Sequence, residues 1–198
     1  MTATHAPIRT RDDLTGRAAL VLGLARSGTA LARYLADAGA RVAVYDRRSA
    51  GELSDAVEAL GDRGVQLALG APPDEALGLI GDAELIFTSP SISPRFPTTE
   101  AWLREALVTA QARGAELISE VDLFLRLTRA PTIGVTGTKG KTTTTALIGA
   151  MLAAAGIRHE VGGNIGRPLV ELADTLGPDD WAVLELSELQ LPTLSRGT

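Results

Sequence analysis

The chain has 198 residues, of which 45% are hydrophobic and 22% charged, with a net charge of −5. This composition is that of an ordinary globular protein, and it excludes wholesale disorder and fibrous repeats. The mild acidity predicts no nucleic-acid partner, and the apolar runs fall short of the roughly 20 residues that a membrane span needs. Cysteine is absent, which suits a reducing compartment. We therefore expect a cytoplasmic protein that acts away from nucleic acid and membrane.

The first 130 residues show a repeated strand and helix pattern. An apolar run at 18–24 ends at glycine, a helical pattern occupies 27–39, and a second apolar run at 41–46 ends at Asp46. Two strands joined by a helix need a parallel crossover. The pattern continues with predicted helices at 52–60, 98–113 and 119–127, strands at 65–69, 83–88 and 116–118, and a proline-rich turn at 71–75. We predict a Rossmann-like, doubly wound parallel α/β sheet over residues 1–130, with its ligand at the carboxyl ends of the strands.

The pattern restarts after Pro131 with a predicted strand, a glycine-containing loop and a helix that ends at Gly156. A further strand is predicted at 181–186. We expect a domain boundary near residue 130. Residues 131–198 are short for a whole α/β domain of this kind, so we predict an incomplete P-loop ATPase-type domain there.

The loop TGTKGKT carries the clearest chemistry. Gly137 and Gly140 allow backbone N–H groups to converge on one point, and the following helix offers its positive end to an anion. Lys141 supplies a charge for the β- and γ-phosphates, and Thr142 offers a hydroxyl to Mg²⁺. The predicted phosphate-binding set is Gly137, Thr138, Lys139, Gly140, Lys141, Thr142 and Thr143.

The loop departs from the strict P-loop pattern, because Val135 stands at the position of the first glycine. Lys139 and Lys141 are nevertheless the only lysines of the chain. Their placement together in one glycine-rich turn favours a functional loop over a chance turn.

Three segments resemble the Mur ligase family. The loop TGTKGKTTTT is similar to the ATP loop of Mur ligases and of folylpolyglutamate synthetases. GGNIG at 162–166 and VLELSELQL at 183–191 are similar to segments of the Mur ligases that add D-glutamate, in the same order and spacing. A folylpolyglutamate synthetase would not be expected to open with a uridine-type domain of this length.

The resemblance implies an ATP- and Mg²⁺-dependent amide-bond ligase of peptidoglycan precursor synthesis. Its substrates would be UDP-N-acetylmuramoyl-L-alanine and D-glutamate, joined through an acyl phosphate, and we expect a monomer. The family also uses a histidine, a carbamylated lysine and a third domain, all beyond the equivalent of residue 198. We therefore expect this chain alone to be inactive as a ligase.

The resemblance also implies roles for individual residues. Lys141 and Glu185 would be catalytic, with Thr142 and Glu185 as Mg²⁺ ligands. A carboxylate at the end of an apolar strand beside a phosphate loop also suits a hard cation on chemical grounds. The substrate-binding residues implied are Ser27 for the diphosphate, Asp46 and Arg48 for the uridine, Ser89 and Ser91 from the SPxI loop, and Asn164 and Ser187 between nucleotide and UDP-substrate.

A second interpretation remains open for the first domain. The turn from Gly23 to Gly28 approximates the dinucleotide pattern GxGxxG, which would place NAD there with Asp46 on the ribose. The chain would then be a UDP- or NAD-binding module without catalysis. Ala25 and Ser91 stand where the family usually has glycine, and each adds a Cβ near the nucleotide.

Overall fold

A computed structural model describes residues 7–89, 92–95 and 99–194. The chain divides into two compact units, Met1–Glu120 and Val121–Thr198. This division lies ten residues before the boundary expected near residue 130, and the assignment of 1–130 and 131–198 as functional domains stays a prediction. No helix in the described part of the chain has the length and apolarity to cross a membrane.

The first unit is built on a five-stranded parallel sheet with the order β3-β2-β1-β4-β5. Its strands are β1 (Ala18–Leu22), β2 (Arg41–Asp46), β3 (Gln66–Leu69), β4 (Leu85–Thr88) and β5 (Glu116–Ile118). Its helices are α1 (Arg26–Asp37), α2 (Ser54–Leu60), α3 (Pro73–Asp82) and α4 (Ala101–Arg113), after a short 3-10 helix at Arg11–Leu14. The prediction of a Rossmann-like first domain is confirmed.

The central strands are apolar along their length because both faces of the sheet are covered. All four residues of β4 are buried, as are four of the five in β1. One face packs against α3 and α4 through a cluster that includes Leu20, Ile86 and Leu107. This buried centre fixes the carboxyl ends of β1, β2 and β4 side by side.

Helix α3 corrects the prediction of a turn at 71–75. The helix begins at Pro73, where a missing N–H costs nothing because the first helical N–H groups have no partner within the helix. Ala76 and Ile80, one turn apart, are buried against the sheet. The two prolines therefore mark the start of a helix rather than a loop.

The second unit holds a three-stranded parallel sheet with the order β6-β8-β7. Its elements are β6 (Thr132–Val135), α6 (Lys141–Ala154), β7 (His159–Gly163) and β8 (Trp181–Glu185), with 3-10 helices at Leu169–Leu172 and Leu191–Thr193. Helix α5 (Glu120–Leu127) begins at the division between the units. Strand β7 was not predicted, because its two glycines and Glu160 hide the strand pattern.

Candidate functional site

The turn from β1 into α1 is held by two glycines. Gly23 adopts a positive φ of 98°, which favours glycine. A Cβ on Gly28 would lie 2.0 Å from the carbonyl oxygen of Gly23, so the helix can approach the strand only without a side chain there. Ala25 has φ −82° and an extended backbone, so this position needs no glycine for conformational reasons. The first turn of α1, including the partly exposed Ser27, presents backbone N–H groups that suit an anion.

Asp46 ends β2 beside this turn, and its side chain is only 8% exposed. Its Oδ2 accepts hydrogen bonds from the Leu24 amide at 2.7 Å and from Nη2 of Arg48 at 2.7 Å. Its Oδ1 accepts from the amide of Arg48 at 2.9 Å and from its Nε at 3.1 Å. The carboxylate therefore ties the β1 to α1 turn to the segment after β2.

The environment of Asp46 acts on its ionisation in two opposite ways. Burial raises the pKa of the carboxyl, but the hydrogen bonds from Arg48 and the Leu24 amide, with the guanidinium charge, together hold it below its ordinary value of 3.8. The same pairing raises the pKa of Arg48. Asp46 is thus an ionised acceptor at neutral pH.

Ser89 follows β4 at the same edge of the sheet, because Leu22 at the end of β1 is in register with both Tyr45 and Thr88. The carbonyl of Ser89 accepts a hydrogen bond from the Ile92 amide at 2.9 Å. Ser91 lies outside the described residues. The first unit therefore gathers Ser27, Asp46, Arg48 and Ser89 at the carboxyl edge of its sheet, where ligands of such sheets bind.

In the second unit, β6 ends at Val135 and a short loop leads into α6. Gly137 and Gly140 have positive φ angles of 150° and 78°, and α6 starts at Lys141 directly after Gly140. Nζ of Lys141 donates to the Gly137 carbonyl at 2.7 Å, so the lysine folds back over the loop. Thr138, Lys139, Thr142 and Thr143 are all exposed around the start of the helix.

Strand β8 lies between the other two strands and carries Glu185 at its end. Glu185 is in register with Val135 on one side and with Gly163 on the other. Its carbonyl accepts a hydrogen bond from the Asn164 amide at 3.0 Å. A Cβ on Gly163 would lie 2.3 Å from that same carbonyl oxygen, and its φ is 102°, so glycine is required at this position. The sheet therefore brings the loop between β6 and α6, Asn164 and Glu185 to one edge.

The Glu185 side chain is buried, at 5% exposure, and its Oε2 has no hydrogen-bond partner among the described residues. A buried carboxylate oxygen without a donor is costly unless something else satisfies it. No group of three or more His, Cys, Asp or Glu residues that could hold a metal is found in the part of the chain described. Mg²⁺ commonly uses one or two carboxylates together with substrate phosphates, so one carboxylate beside a phosphate loop fits this ion.

Ser187 follows Glu185 after one residue, and its amide donates to Oε1 of Gln190 at 2.7 Å. Gln190 is buried at 7% exposure and thereby fixes the segment after β8. Sequence reasoning missed Gln190, because nothing in its neighbourhood signals that a polar side chain between two leucines turns inward. It missed Thr145 for a similar reason, since four consecutive threonines look alike.

The chain is similar in sequence to members of one known protein family. The model of the family "Mur ligase MurD-like, N-terminal domain" matches residues 17–119. The UDP-N-acetylmuramoylalanine–D-glutamate ligase of Symbiobacterium thermophilum is 43% identical over 178 residues, which cover 90% of this chain and 37% of that protein. The ligase of the same name from Caldanaerobacter subterraneus subsp. tengcongensis is 41% identical over 182 residues, 92% of this chain and 38% of its own length.

The parallel α/β fold and the matching family model define a Mur ligase chain. More narrowly, the chain belongs to the MurD-like Mur ligases, and it corresponds to their N-terminal portion. It spans 37% to 38% of the length of these two relatives.

Two solved structures are also similar. A pseudomurein peptide ligase type C from Methanothermus fervidus has 29% identity and a TM-score of 0.44, over 86% of this chain and 33% of its own. A UDP-N-acetylmuramate:L-alanyl-gamma-D-glutamyl-meso-diaminopimelate ligase from Neisseria meningitides has 21% identity and a TM-score of 0.49, over 86% and 52%.

Proposed function

We propose that the full-length protein is an ATP- and Mg²⁺-dependent ligase that joins D-glutamate to UDP-N-acetylmuramoyl-L-alanine. The observation that carries this proposal is the register of β8, which sets Glu185 between the phosphate loop and Asn164. The printed names of the relatives, at 43% and 41% identity, support the choice of substrates. Residues 131–198 then form the first part of a P-loop ATPase-type domain, after a UDP-substrate domain at 1–130.

The reaction needs activation because a free carboxylate is a poor electrophile. ATP bound with Mg²⁺ would supply its γ-phosphoryl group to the substrate carboxylate and leave as ADP, giving an acyl phosphate whose leaving group is phosphate. The amine of D-glutamate would then attack the acyl carbon, forming the amide bond as phosphate leaves and the nitrogen loses a proton. In this chain, Lys141 would leave the Gly137 carbonyl to neutralise phosphate charge, and the α6 N-terminus would bind phosphate oxygens.

The cation would be held by the hydroxyl of Thr142 and the carboxylate of Glu185. Thr142 is exposed in the first turn of α6, and Glu185 has an oxygen without a partner in the described chain. Asn164 and Ser187 follow the ends of β7 and β8, and we assign them to substrate.

In the first unit, we assign the diphosphate to the α1 N-terminus with Ser27, and the uridine to Asp46 and Arg48. Ser89 and Ser91 of the loop after β4 complete the proposed set. Arg48 is 46% exposed and keeps donors for a ligand beyond those that bind Asp46. We further propose that the protein is monomeric and cytoplasmic.

Calorimetric titration of the 198-residue chain tests the nucleotide assignments. We expect ATP with Mg²⁺ to bind, and Lys141→Ala to lose at least tenfold in affinity, about what one charge-assisted contact contributes. The matched control is Arg158→Ala, which removes a largely exposed cation from the same unit. Equal affinity of Lys141→Ala and the parent chain would refute the assignment.

Ligase turnover gives a separate test. We propose that the chain alone is inactive, because it lacks the further catalytic residues that the family resemblance implies. The assay follows ADP released on addition of both UDP-N-acetylmuramoyl-L-alanine and D-glutamate. Steady release that needs both substrates would contradict this part of the proposal.

The second candidate is a UDP- or NAD-binding module without catalysis, which the Gly23, Gly28 and Asp46 geometry favours. The same titration separates the two, with UDP and NADH as ligands. UDP binding that is lost in Asp46→Ala supports the uridine assignment. NADH binding without UDP binding supports the dinucleotide module instead.

A further inference from the structure

Thr145 is fully buried in α6, and its hydroxyl oxygen has no hydrogen-bond partner among the described residues. Helical threonines commonly satisfy the hydroxyl with the carbonyl four residues earlier. Thr29 and Thr109 do this in α1 and α4, at 3.1 and 2.8 Å. Thr145 does not make this bond.

The contacts of Gly149 show which side of the sheet α6 covers. A Cβ on Gly149 would meet the side chains of Val161 at 3.0 Å and His159 at 3.4 Å. Val161 is in register with Val183, and side chains two residues apart on a strand share a face. Glu185, two residues after Val183, therefore also points to the α6 side.

The same geometry fixes the height of Thr145. It precedes Gly149 by one helical turn, about 6 Å towards the start of α6. Because α6 runs antiparallel to the strands it connects, this step leads towards their carboxyl ends. Two residues along a strand rise about 6.6 Å, so Thr145 lies level with Glu185 rather than with Val183.

Two buried oxygens without partners thus face one layer of the same interface: Oγ1 of Thr145 and Oε2 of Glu185. One is a hydroxyl that can donate, and the other a carboxylate that only accepts when ionised. Each is costly alone, and one water between them would satisfy both, because it accepts from the hydroxyl and donates to the carboxylate.

We propose that Thr145 is a positioning residue for Glu185, donating a hydrogen bond to its carboxylate through one trapped water. The bond fixes the orientation in which the carboxylate meets a divalent cation on a nucleotide phosphate. The cation part rests on the proposed function, whereas the pairing itself does not.

A double-mutant cycle on the 198-residue chain tests the pairing. In a Trp102→Phe background, Trp181 is the single tryptophan and reports urea unfolding of the second unit. We expect Thr145→Val to favour unfolding by about tenfold in the equilibrium constant, the size of a hydrogen bond to a charged group. In a Glu185→Met background the same change should have little effect. Thr144→Val, an exposed neighbour on α6, is the matched control.

Whether Thr145→Val lowers or raises the stability of the second unit decides the proposal, because valine replaces the hydroxyl with a methyl of similar size. If the hydroxyl has no partner, Thr145→Val leaves stability unchanged or raises it, and the proposal is overturned. An equal loss in both backgrounds overturns it as well. If Glu185→Met does not fold, Glu185→Gln takes its place, and the effect of Thr145→Val must then shrink because the acceptor is neutral.

Calorimetric titration separates a positioning role of Thr145 from a purely structural one. We expect Thr145→Val to weaken ATP binding severalfold with Mg²⁺ present and to leave binding in EDTA unchanged, while Thr145→Ser restores the Mg²⁺-dependent part. Equal weakening under both conditions contradicts positioning. If the parent chain binds no ATP with Mg²⁺, the proposed nucleotide function fails, and the unfolding cycle alone decides the pairing of Thr145 with Glu185.

Discussion

Replacing Asp46 by asparagine tests whether its carboxylate holds the β1 to α1 turn in place. The side chain keeps its size, but the charge is lost and one oxygen becomes an NH₂ group. In the parent chain the two oxygens accept four hydrogen bonds, two from backbone amides and two from the Arg48 side chain. Asparagine can satisfy only one of the two amides well, because its NH₂ group faces the other as a second donor.

The expected loss follows from these four contacts. The Arg48 side chain is 46% exposed, so solvent screening makes its share small. Leaving one backbone N–H without its acceptor costs about 1–3 kcal/mol. We therefore expect Asp46→Asn to lower the free energy of unfolding of the first unit by about 2 kcal/mol at neutral pH.

The pH dependence gives a second signature. Because the pKa of Asp46 is lowered by folding, its contribution is present above the ordinary value of 3.8 and is lost as the pH falls through the folded-state pKa. The difference between the parent chain and Asp46→Asn should therefore be constant near neutral pH and shrink on acidification below about pH 4.

Urea unfolding in a Trp181→Phe background measures this, since Trp102 then reports the first unit, where it packs edge-on against Tyr45 at 6.5 Å. Asp62→Asn, an exposed aspartate in a loop, is the matched control and should leave the midpoint unchanged. An unchanged midpoint for Asp46→Asn at pH 7, or a difference that stays constant through acid, would refute the role of the carboxylate.

The remaining predictions concern glycines and the loop lysine. Gly28→Ala should destabilise the first unit by roughly 1–3 kcal/mol, since its Cβ would overlap the Gly23 carbonyl oxygen. Gly78→Ala lies in open space on α3 and should instead stabilise the first unit by about 0.5–1 kcal/mol. Thermal unfolding compares the two, and equal midpoints would contradict the steric argument. Gly163→Ala should destabilise the second unit by roughly 1–3 kcal/mol or more, because strain from its positive φ adds to an overlap of the new Cβ with the Glu185 carbonyl oxygen at 2.3 Å. Trp181 fluorescence measures the unfolding, and an unchanged midpoint would count against this prediction. Lys141→Met should change the free energy of unfolding of that unit by no more than about 0.5 kcal/mol, since the hydrogen bond from the Lys141 side chain is to a loop carbonyl at the surface; a larger change would give it a structural role.

Much of the first unit could be predicted because its signals are local. An apolar run ending at Gly23, a helical spacing and an acidic residue at the next strand end are all visible in sequence. What Asp46 contacts could not be predicted, since that depends on where the turn and Arg48 lie in space. Helix α3 was missed because a proline at the first helical position looks like a turn signal.

In the second unit, glycines and consecutive threonines limit what the sequence can predict. Glu185 was predicted as a site residue from the resemblance to the Mur ligases, and its position at the end of an apolar strand agrees with that prediction. The strand paired beside it, β7, was hidden by glycines. Those glycines are needed where other groups approach closely: a Cβ on Gly162 would lie 2.6 Å from the Leu169 side chain, and one on Gly163 would lie 2.3 Å from the Glu185 carbonyl oxygen. Thr145 could not be separated from the threonines before it, because only the phase of α6 turns it inward.

The strand order β6-β8-β7 explains why the candidate phosphate site depends on residues far apart in sequence. Strand β8 is last along the chain but central in the sheet, so Glu185 meets the loop after Val135 only when β6 has paired with β8, and it meets the segment after Gly163 only when β7 has paired with β8. The Asn164 amide bonds to the Glu185 carbonyl, so the segment after β7 is tied to the same residue. Disruption of β8 pairing should therefore separate all three segments at once, whereas changes at the α6 surface should leave them assembled.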